Sequence, residues 1–165
     1  MRLTLLMLCL FAILTIACDI RPRSATPPVV SIPALAGKTP PEVDAILGTP
    51  AEVTPIENDP TQEPGEYRDY RVAGVRNGVT SHGLMVLFND GRAVHFTLDL
   101  PAPQESAETA LLMAGIDVRN SQPTVTTIAA KRWAGVFAGV YFKDVAAVKA
   151  DRDFSNYTTV QANLR

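Results

Sequence analysis

The chain has 165 residues, with 15 lysines and arginines against 17 aspartates and glutamates, and a formal net charge of −2. This length fits one ordinary domain with room for a hydrophobic core. Because the sequence contains no polybasic run, and duplex binding depends on lysine and arginine contacts to phosphates, the charge balance argues against nucleic acid as a partner.

The first seventeen residues have the three parts of a secretory signal. Arg2 supplies a short positive region, residues 3–16 form an uncharged and largely apolar run, and the small residue Ala17 ends it. A helix that spans a membrane needs about 20 apolar residues, so this run is short for a permanent anchor. We interpret residues 1–17 as a signal peptide.

The sequence Thr-Ile-Ala-Cys at residues 15–18 resembles the lipobox of bacterial lipoproteins. The resemblance implies cleavage before Cys18, a diacylglycerol on its thiol and often a further acyl chain on its new amine. The alternative is a plain signal peptide cut nearby, with Cys18 left as a free thiol. Cys9 lies inside the apolar run, so a chain cut at residue 18 would have neither a disulfide nor a cysteine-based metal site.

The residues after Cys18 predict an anchored and extended segment. Two or more acyl chains hold a protein stably on a bilayer, and Asp19 resembles the inner-membrane retention signal of enteric bacteria. We therefore expect the protein on the outer face of the cytoplasmic membrane, with the outer membrane as the alternative. Residues 19–33 contain four prolines, which favour extended backbone, so residues 18–33 are predicted to be a lipidated N-terminus and tether.

The segment AGKTPPEVDAILGTP predicts a short amphipathic helix. Thr39 suits the N-cap, Pro40 the first helical position, and Glu42 the capping-box position three residues after Thr39. Gly48, followed closely by a proline, ends the pattern.

A run of strands is predicted after this helix. AEVT is a short strand that becomes a proline-rich loop, EYRDYRVAGV is a second strand, and HGLMVLFNDGRAVHFTLDL is a hairpin with Gly91 in its turn. Residues 84–88 are apolar at every position, which is typical of a central strand. The alternation over residues 94–100 indicates one buried face and one polar face.

The second half of the chain repeats the order of helix and then strands. QESAETALLMAGIDV predicts a second helix that ends at Gly115, and the last fifty residues predict two or three further strands, the last at residues 157–164. The predicted fold class is α+β, with two short helices packed on a mainly antiparallel sheet in a single domain over residues 34–165. Residues 34–100 and 101–165 are candidates for tandem modules.

Three stretches, GKTPPEVDAILGTPAEV, YRDYRV and GLMVLFNDGRAVHF, resemble the fold shared by small lipoproteins of outer-membrane β-barrel assembly and by the β-lactamase-inhibitor proteins. The matching positions are Gly37, Thr39, Val43, Leu47, Gly48, Pro50, Tyr70, Phe88, Asp90 and Gly91. The resemblance covers residues 34–100, and the inhibitor proteins add a double-module architecture that would accommodate the second half. It implies a fold rather than an activity.

Candidate catalytic residues are few. His82, His95 and Asp99 would form a hydrolytic or zinc site if a hairpin brought them together, since a catalytic zinc has three protein ligands and a water. The ordinary alternative is a pair of exposed histidines on a loop and a strand. The sequence contains no HExxH motif, no Gly-x-Ser-x-Gly elbow and no glycine-rich phosphate loop, so we expect no enzyme activity, no metal and no cofactor.

An aromatic cluster is the remaining candidate site. Trp133, Phe137 and Tyr141, with Phe142 beside them, would line a groove for a small ligand if they were exposed. The alternative is that they belong to the core.

Three functions follow, in order of preference. The first is a non-enzymatic lipoprotein of the cell envelope that binds another protein through a face or an edge of its sheet. The second is a module that binds a small ligand near Trp133. The third is a hydrolytic or metal-dependent enzyme.

Overall fold

The computed structural model describes residues 28–56, 65–72, 83–149 and 154–165. The predicted signal peptide, Cys18 and His82 lie outside the described residues. The described helices are α1 (Ile32–Leu35), α2 (Pro40–Leu47) and α3 (Ala107–Met113). The strands are β1 (Glu52–Ile56), β2 (Gly65–Tyr70), β3 (Leu84–Asn89), β4 (Arg92–Gln104), β5 (Val125–Thr126), β6 (Ala130–Phe137), β7 (Val140–Val148) and β8 (Tyr157–Asn163). None of these helices is long and apolar enough to cross a membrane.

A single antiparallel sheet joins the two halves of the chain through their last strands. The strand order is β1-β2-β3-β4-β8-β7-β6-β5, so two four-stranded meanders meet where β4 pairs with β8. Strands β1–β4 follow α2 and strands β5–β8 follow α3. The α+β class and the antiparallel sheet are confirmed at this level, with three short helices instead of two. That the two halves arose by duplication stays a prediction.

Helix α2 begins and ends where the sequence predicts. The Glu42 carboxylate accepts hydrogen bonds from the backbone N–H and the hydroxyl of Thr39, both at 2.8 Å. These bonds favour the ionised carboxylate and lower the pKa of Glu42, the bond from the backbone N–H having the larger effect. Gly48 ends the helix with a φ of +89°, in the left-handed region that favours glycine.

Two-residue turns connect two pairs of strands. Asp90 and Gly91 link β3 to β4 with φ values of 51° and 66°, and Ala138 and Gly139 link β6 to β7 with φ values of 49° and 83°. Positive φ at both central residues gives the turn a twist that matches antiparallel strands. The predicted hairpin at Gly91 is confirmed, and β3 lies inside the sheet as its apolar sequence indicates.

The C-terminal part contains four strands, whereas two or three were predicted. Helix α3 stops just before Gly115, as expected, and β8 occupies the predicted last strand. The additional strand, β5, has two residues that pair with Arg132 and Lys131 of β6. Two residues are too few to produce a periodic pattern, which explains why the sequence did not indicate this strand.

The folded part starts earlier than the predicted boundary at residue 34. The backbone N–H groups of Val29 and Ile32 donate to the carbonyls of Met113 and Ala114, at 2.8 and 2.9 Å, at the C-terminal end of α3. Val30 and Ile32 are buried in the core. The prolines of this segment favour extended backbone but do not prevent the apolar residues between them from packing. Residues 29–33, which the sequence assigned to the tether, therefore belong to the folded domain.

Residues 29–38, called the N-terminal strap below, connect the two halves. At its other end, the strap pairs with β4, where the Gly37 N–H donates to the Ala93 carbonyl at 2.9 Å and the Ala93 N–H donates to the Lys38 carbonyl at 2.8 Å. Because α3 belongs to the second half and β4 to the first, the strap fastens the C-terminal end of that helix to the central region of the sheet.

The core lies on one face of the sheet, under all three described helices. Its largest fully buried side chains are Trp133, Tyr70, Phe88, Phe96, Phe142, Ile32, Leu35, Leu84, Leu98, Leu111, Ile116 and Val43. At the α2 side, Asp44 accepts hydrogen bonds from Arg68 and from the Tyr70 hydroxyl. At the α3 side, the Lys131 ammonium lies 3.4 Å from the Glu108 carboxylate.

We expect Asp44→Ala to lower the free energy of unfolding by about 2–3 kcal/mol, because hydrogen bonds to charged groups contribute that much and both donors lose their acceptor. Arg68 keeps a second partner in Glu66, at 2.8 Å. Tyr70→Phe should cost about 1 kcal/mol in the wild type. In the Asp44→Ala background it should cost clearly less, and urea unfolding of all four chains would measure this coupling. Additive losses would mean that the Asp44–Tyr70 bond contributes nothing.

A glycine pair tests the strap. Gly115 has a φ of +76°, and a Cβ built there would lie 3.0 Å from the Ser31 Cα, whereas Gly37 has a φ of +71° with nothing within 4 Å of such a Cβ. Gly37→Ala should therefore lose only the cost of left-handed backbone, about 1–2 kcal/mol. Gly115→Ala should lose about 1–3 kcal/mol more, because the strap must move. Equal losses in urea unfolding would contradict close packing of the strap on α3.

Candidate interaction face

The second face of the sheet carries none of the described helices. Side chains alternate along a strand and paired residues share a face, so the residues between the core positions point to this opposite side. We call this surface the helix-free face. It includes Thr54, Tyr67, Asp69, Met85, Leu87, His95, Thr97, Asp99, Arg132, Val136, Tyr141, Asp144, Ala146, Thr159, Gln161 and Asn163.

A row of polar side chains crosses the middle of the helix-free face. His95 pairs with Asn163 across β4 and β8, and Asn163 pairs with Asp144 across β8 and β7. Asp144 accepts a hydrogen bond from Arg132 of β6. Neighbouring strands lie about 4.8 Å apart, so His95 and Asp144 are separated by about 10 Å. The row therefore places an ion pair beside a half-buried imidazole.

The environment of His95 favours the neutral imidazole. Burial lowers the pKa of His95, and the negative charge of Asp144 opposes this effect without cancelling it. The His95 Nε2 lies 3.3 Å from the Thr97 hydroxyl. The ring is therefore held uncharged over a wider pH range than a solvated histidine.

A small cavity opens on the first half of this face. It has a volume of about 120 Å³ and is lined by Asp69, Gly83, Met85, Thr97 and Asp99. Pockets for small molecules usually measure about 300–1,000 Å³. This cavity has room for one side chain or a few waters but not for a typical small ligand.

An apolar pair marks the end of the helix-free face at the β6–β7 hairpin. Val136 and Tyr141 are direct partners across the two strands, and they are 66% and 61% exposed. Their neighbours Phe137 and Phe142 are buried on the other side. A large aromatic ring beside an aliphatic side chain is typical of residues that anchor a protein interface. The sequence indicated Tyr141 but not Val136, whose exposure depends on the register of the hairpin.

The structure does not bring the predicted aromatic cluster into one groove. Trp133, Phe137 and Phe142 are buried in the core, and the Trp133 indole N–H donates to the Ser121 carbonyl at 3.3 Å. Tyr141 points to the other face and is exposed. Trp133, Phe137 and Phe142 therefore belong to the core, which was the alternative to a ligand groove. Trp133, Phe137 and Tyr141 do not line a common groove, because Tyr141 lies on the other face.

The alternative of a metal site at His82, His95 and Asp99, which the sequence did not favour, does not assemble from the described residues. His95 and Asp99 lie on the same face of β4 but four positions apart, which corresponds to about 13 Å along a strand. This separation is too large for two ligands of one metal ion. No group of three or more potential metal ligands occurs in the described ranges, and His82 lies outside them.

Comparison with known proteins gives no relative for the chain: no protein-family model, no curated protein and no solved structure matches it. The resemblance to barrel-assembly lipoproteins and to β-lactamase-inhibitor proteins therefore stays a prediction from the sequence.

The environment of His95 predicts a pH dependence of stability. Because burial lowers its pKa in the folded protein, the unfolded chain binds more protons between that lowered value and the ordinary value of about 6.5. The contribution of His95 to the free energy of unfolding should be fully present above pH 6.5 and should decrease as the pH falls through this window. His95→Gln removes this titration while keeping a polar side chain.

Urea unfolding between pH 7.5 and 5 would measure this effect. The free energy of unfolding should fall more steeply with acidification in the wild type than in His95→Gln. An NMR titration of the His95 ring should give a midpoint below 6.5. Parallel pH profiles, or a midpoint above 6.5, would contradict the burial of this side chain.

Proposed function

We propose that the protein is a membrane-anchored, non-enzymatic lipoprotein domain of the bacterial cell envelope, and that it binds another protein through its helix-free face. One observation carries the proposal. All the described helices pack on one face of an eight-stranded sheet, while the other face presents a largely polar surface that ends in the exposed pair Val136 and Tyr141.

The composition of this face supports a protein partner over a small ligand. Interfaces between proteins are enriched in tyrosine and arginine and combine an apolar anchor with polar surroundings. Tyr141 and Val136 supply such an anchor, and Arg132 with Asp144 supplies polar surroundings on the same strands. The cavity of about 120 Å³ on this face would accept one side chain of a partner.

The surroundings of His95 favour binding over catalysis. A histidine that acts as a general base needs a nucleophile in reach and a third group that orients the ring. Thr97 lies 3.3 Å from the ring, but the carboxylate that influences its pKa, Asp144, is two strands away. Among the described residues, no carboxylate accepts a hydrogen bond from the imidazole.

The envelope location is supported by the sequence around Cys18. A lipobox-like segment directly precedes this cysteine, Asp19 follows it, and the rest of the mature chain contains no other cysteine. Mass spectrometry of the protein from its own host tests this part: the N-terminal peptide should carry diacylglycerol on Cys18. A bare thiol or an uncut leader would contradict the anchoring.

The exposed tyrosine should control partner binding. We expect Tyr141→Ser to weaken the affinity at least tenfold, or about 1.4 kcal/mol, because truncation of an interface anchor costs that much or more. The matched control is Ile46→Ser, since Ile46 is also large, apolar and 53% exposed but lies on α2 in the helix layer. The affinity of Ile46→Ser for the partner should stay within about twofold of the wild-type affinity.

The measurement has two stages. Proteins that co-purify with the chain from detergent-solubilised native membranes are identified first, and the affinity of the purified partner for each variant is then determined by titration. Cys18→Ser should leave the membrane fraction but keep its affinity. Equal weakening by Tyr141→Ser and Ile46→Ser, or no effect of either, would contradict binding through the helix-free face.

A further inference from the structure

The strap determines where the anchored chain leaves the folded domain. Its first residues lie against the last turn of α3, where the Val29 N–H donates to the Met113 carbonyl at 2.8 Å and the Val30 N–H donates to the same oxygen at 3.4 Å. Helix α3 packs on the core face of the sheet, through Ala110 and Leu111. The chain toward Cys18 therefore starts from the helix layer and not from the helix-free face.

This exit point is firmly held. Val30 and Ile32 are buried in the core, and Gly115, just after α3, faces Ser31 so closely that an added Cβ would lie 3.0 Å from the Ser31 Cα. At its far end, the strap pairs with Ala93 of β4. Because both ends are bonded to the domain, the strap cannot swing to the other side of the sheet without losing buried apolar contacts.

The chain between the anchor and this exit point is short. Ten residue steps join Cys18 to Pro28, which corresponds to about 17 Å for a flexible chain and about 31 Å for a fully extended proline-rich one. A helix has a diameter of about 10 Å, and a sheet packs about 10 Å from the layer above it. At its flexible-chain length the tether is comparable to the thickness of these two layers, so the exit point stays near the bilayer.

From these observations we infer that the anchored domain directs its helix layer toward the bilayer and presents the helix-free face away from it, to a partner with a surface exposed to water. The inference rests on the lipidation of Cys18 in the proposed function. It goes further by giving the anchored domain an orientation and by restricting the partner to a water-exposed protein surface, as opposed to a segment buried in the same membrane.

Energy transfer to the membrane surface tests this orientation. The mature chain contains one native cysteine, Cys18, and its thiol is blocked by lipid, so a cysteine introduced elsewhere takes a donor dye selectively. Ile46→Cys and Thr109→Cys place the dye on exposed positions of α2 and α3. Thr54→Cys and Tyr141→Cys place it on exposed positions of the helix-free side, at β1 and β7. Each full-length lipidated variant is reconstituted into phosphatidylethanolamine and phosphatidylglycerol vesicles that contain a headgroup-labelled acceptor.

Transfer should be several-fold more efficient from both helix-layer positions than from both helix-free positions. The use of two positions per layer separates the orientation of the layers from a simple tilt of the sheet, which would raise transfer at one end of both layers and lower it at the other end. Equal transfer from the two layers, or stronger transfer from Thr54→Cys and Tyr141→Cys, would overturn the inference.

Two further variants distinguish a wrong orientation from a missing lipid anchor. A flexible Gly/Ser insert of about forty residues after Pro27 lengthens the tether to about 39 Å and should reduce the difference between the layers, while an unchanged difference would overturn the role of the tether. Cys18→Ser should not bind the vesicles. If the wild type also fails to bind, the lipid anchor is absent and the proposed function fails with the inference, whereas equal transfer with normal vesicle binding overturns the orientation alone.

Discussion

The pairing of β4 with β8 is the interaction on which the rest of the structure depends. It brings Phe96 opposite Ala162 and Leu98 opposite Val160, all of them fully buried, and it turns two four-stranded meanders into one continuous sheet. If this pairing were absent, each half would expose a long edge strand and half of the core, which is the arrangement most prone to association with other chains. The second half also contributes Trp133 and Phe142, two of the largest side chains of the common core.

The strap reinforces this junction from the helix side. It bonds to the end of α3 and to Ala93 in β4, so it crosses from one half to the other above the core. The two halves are consequently held together twice, by backbone pairing within the sheet and by buried strap side chains such as Ile32 and Leu35. Both connections join residues that are far apart in the sequence. Formation of the complete domain therefore requires long-range contacts, which slow folding because loop closure must come first.

Patterns of a few consecutive residues predicted the local structure well, but they did not predict contacts between residues far apart in the sequence. The Thr39 and Glu42 capping box, the Asp90-Gly91 turn and the alternation around Phe96 each depend on a few consecutive residues, and each was predicted correctly. The pairing of β4 with β8 and the burial of residues 29–33 depend on partners about 60 to 80 residues away, which no periodicity contains. The candidate site was predicted only in part for the same reason. The sequence indicated Tyr141 as an aromatic residue, but Tyr141 lies on the face opposite to Trp133 because the pairing of β6 with β7 shifts between Trp133 and Gly135.

The arrangement also explains why the polar residues of β4 lie where they do. A sheet with helices on a single face places mostly polar or small side chains on the other face, because a large exposed apolar patch favours aggregation. His95, Thr97 and Asp99 satisfy this requirement, and their partners Asn163, Gln161 and Thr159 continue it across β8. Against that background, an exposed tyrosine and valine paired at the hairpin end are not needed for solubility or for the core. The pairing of these two exposed side chains on the helix-free face is a feature of the surface that stability does not account for, and a partner would account for it.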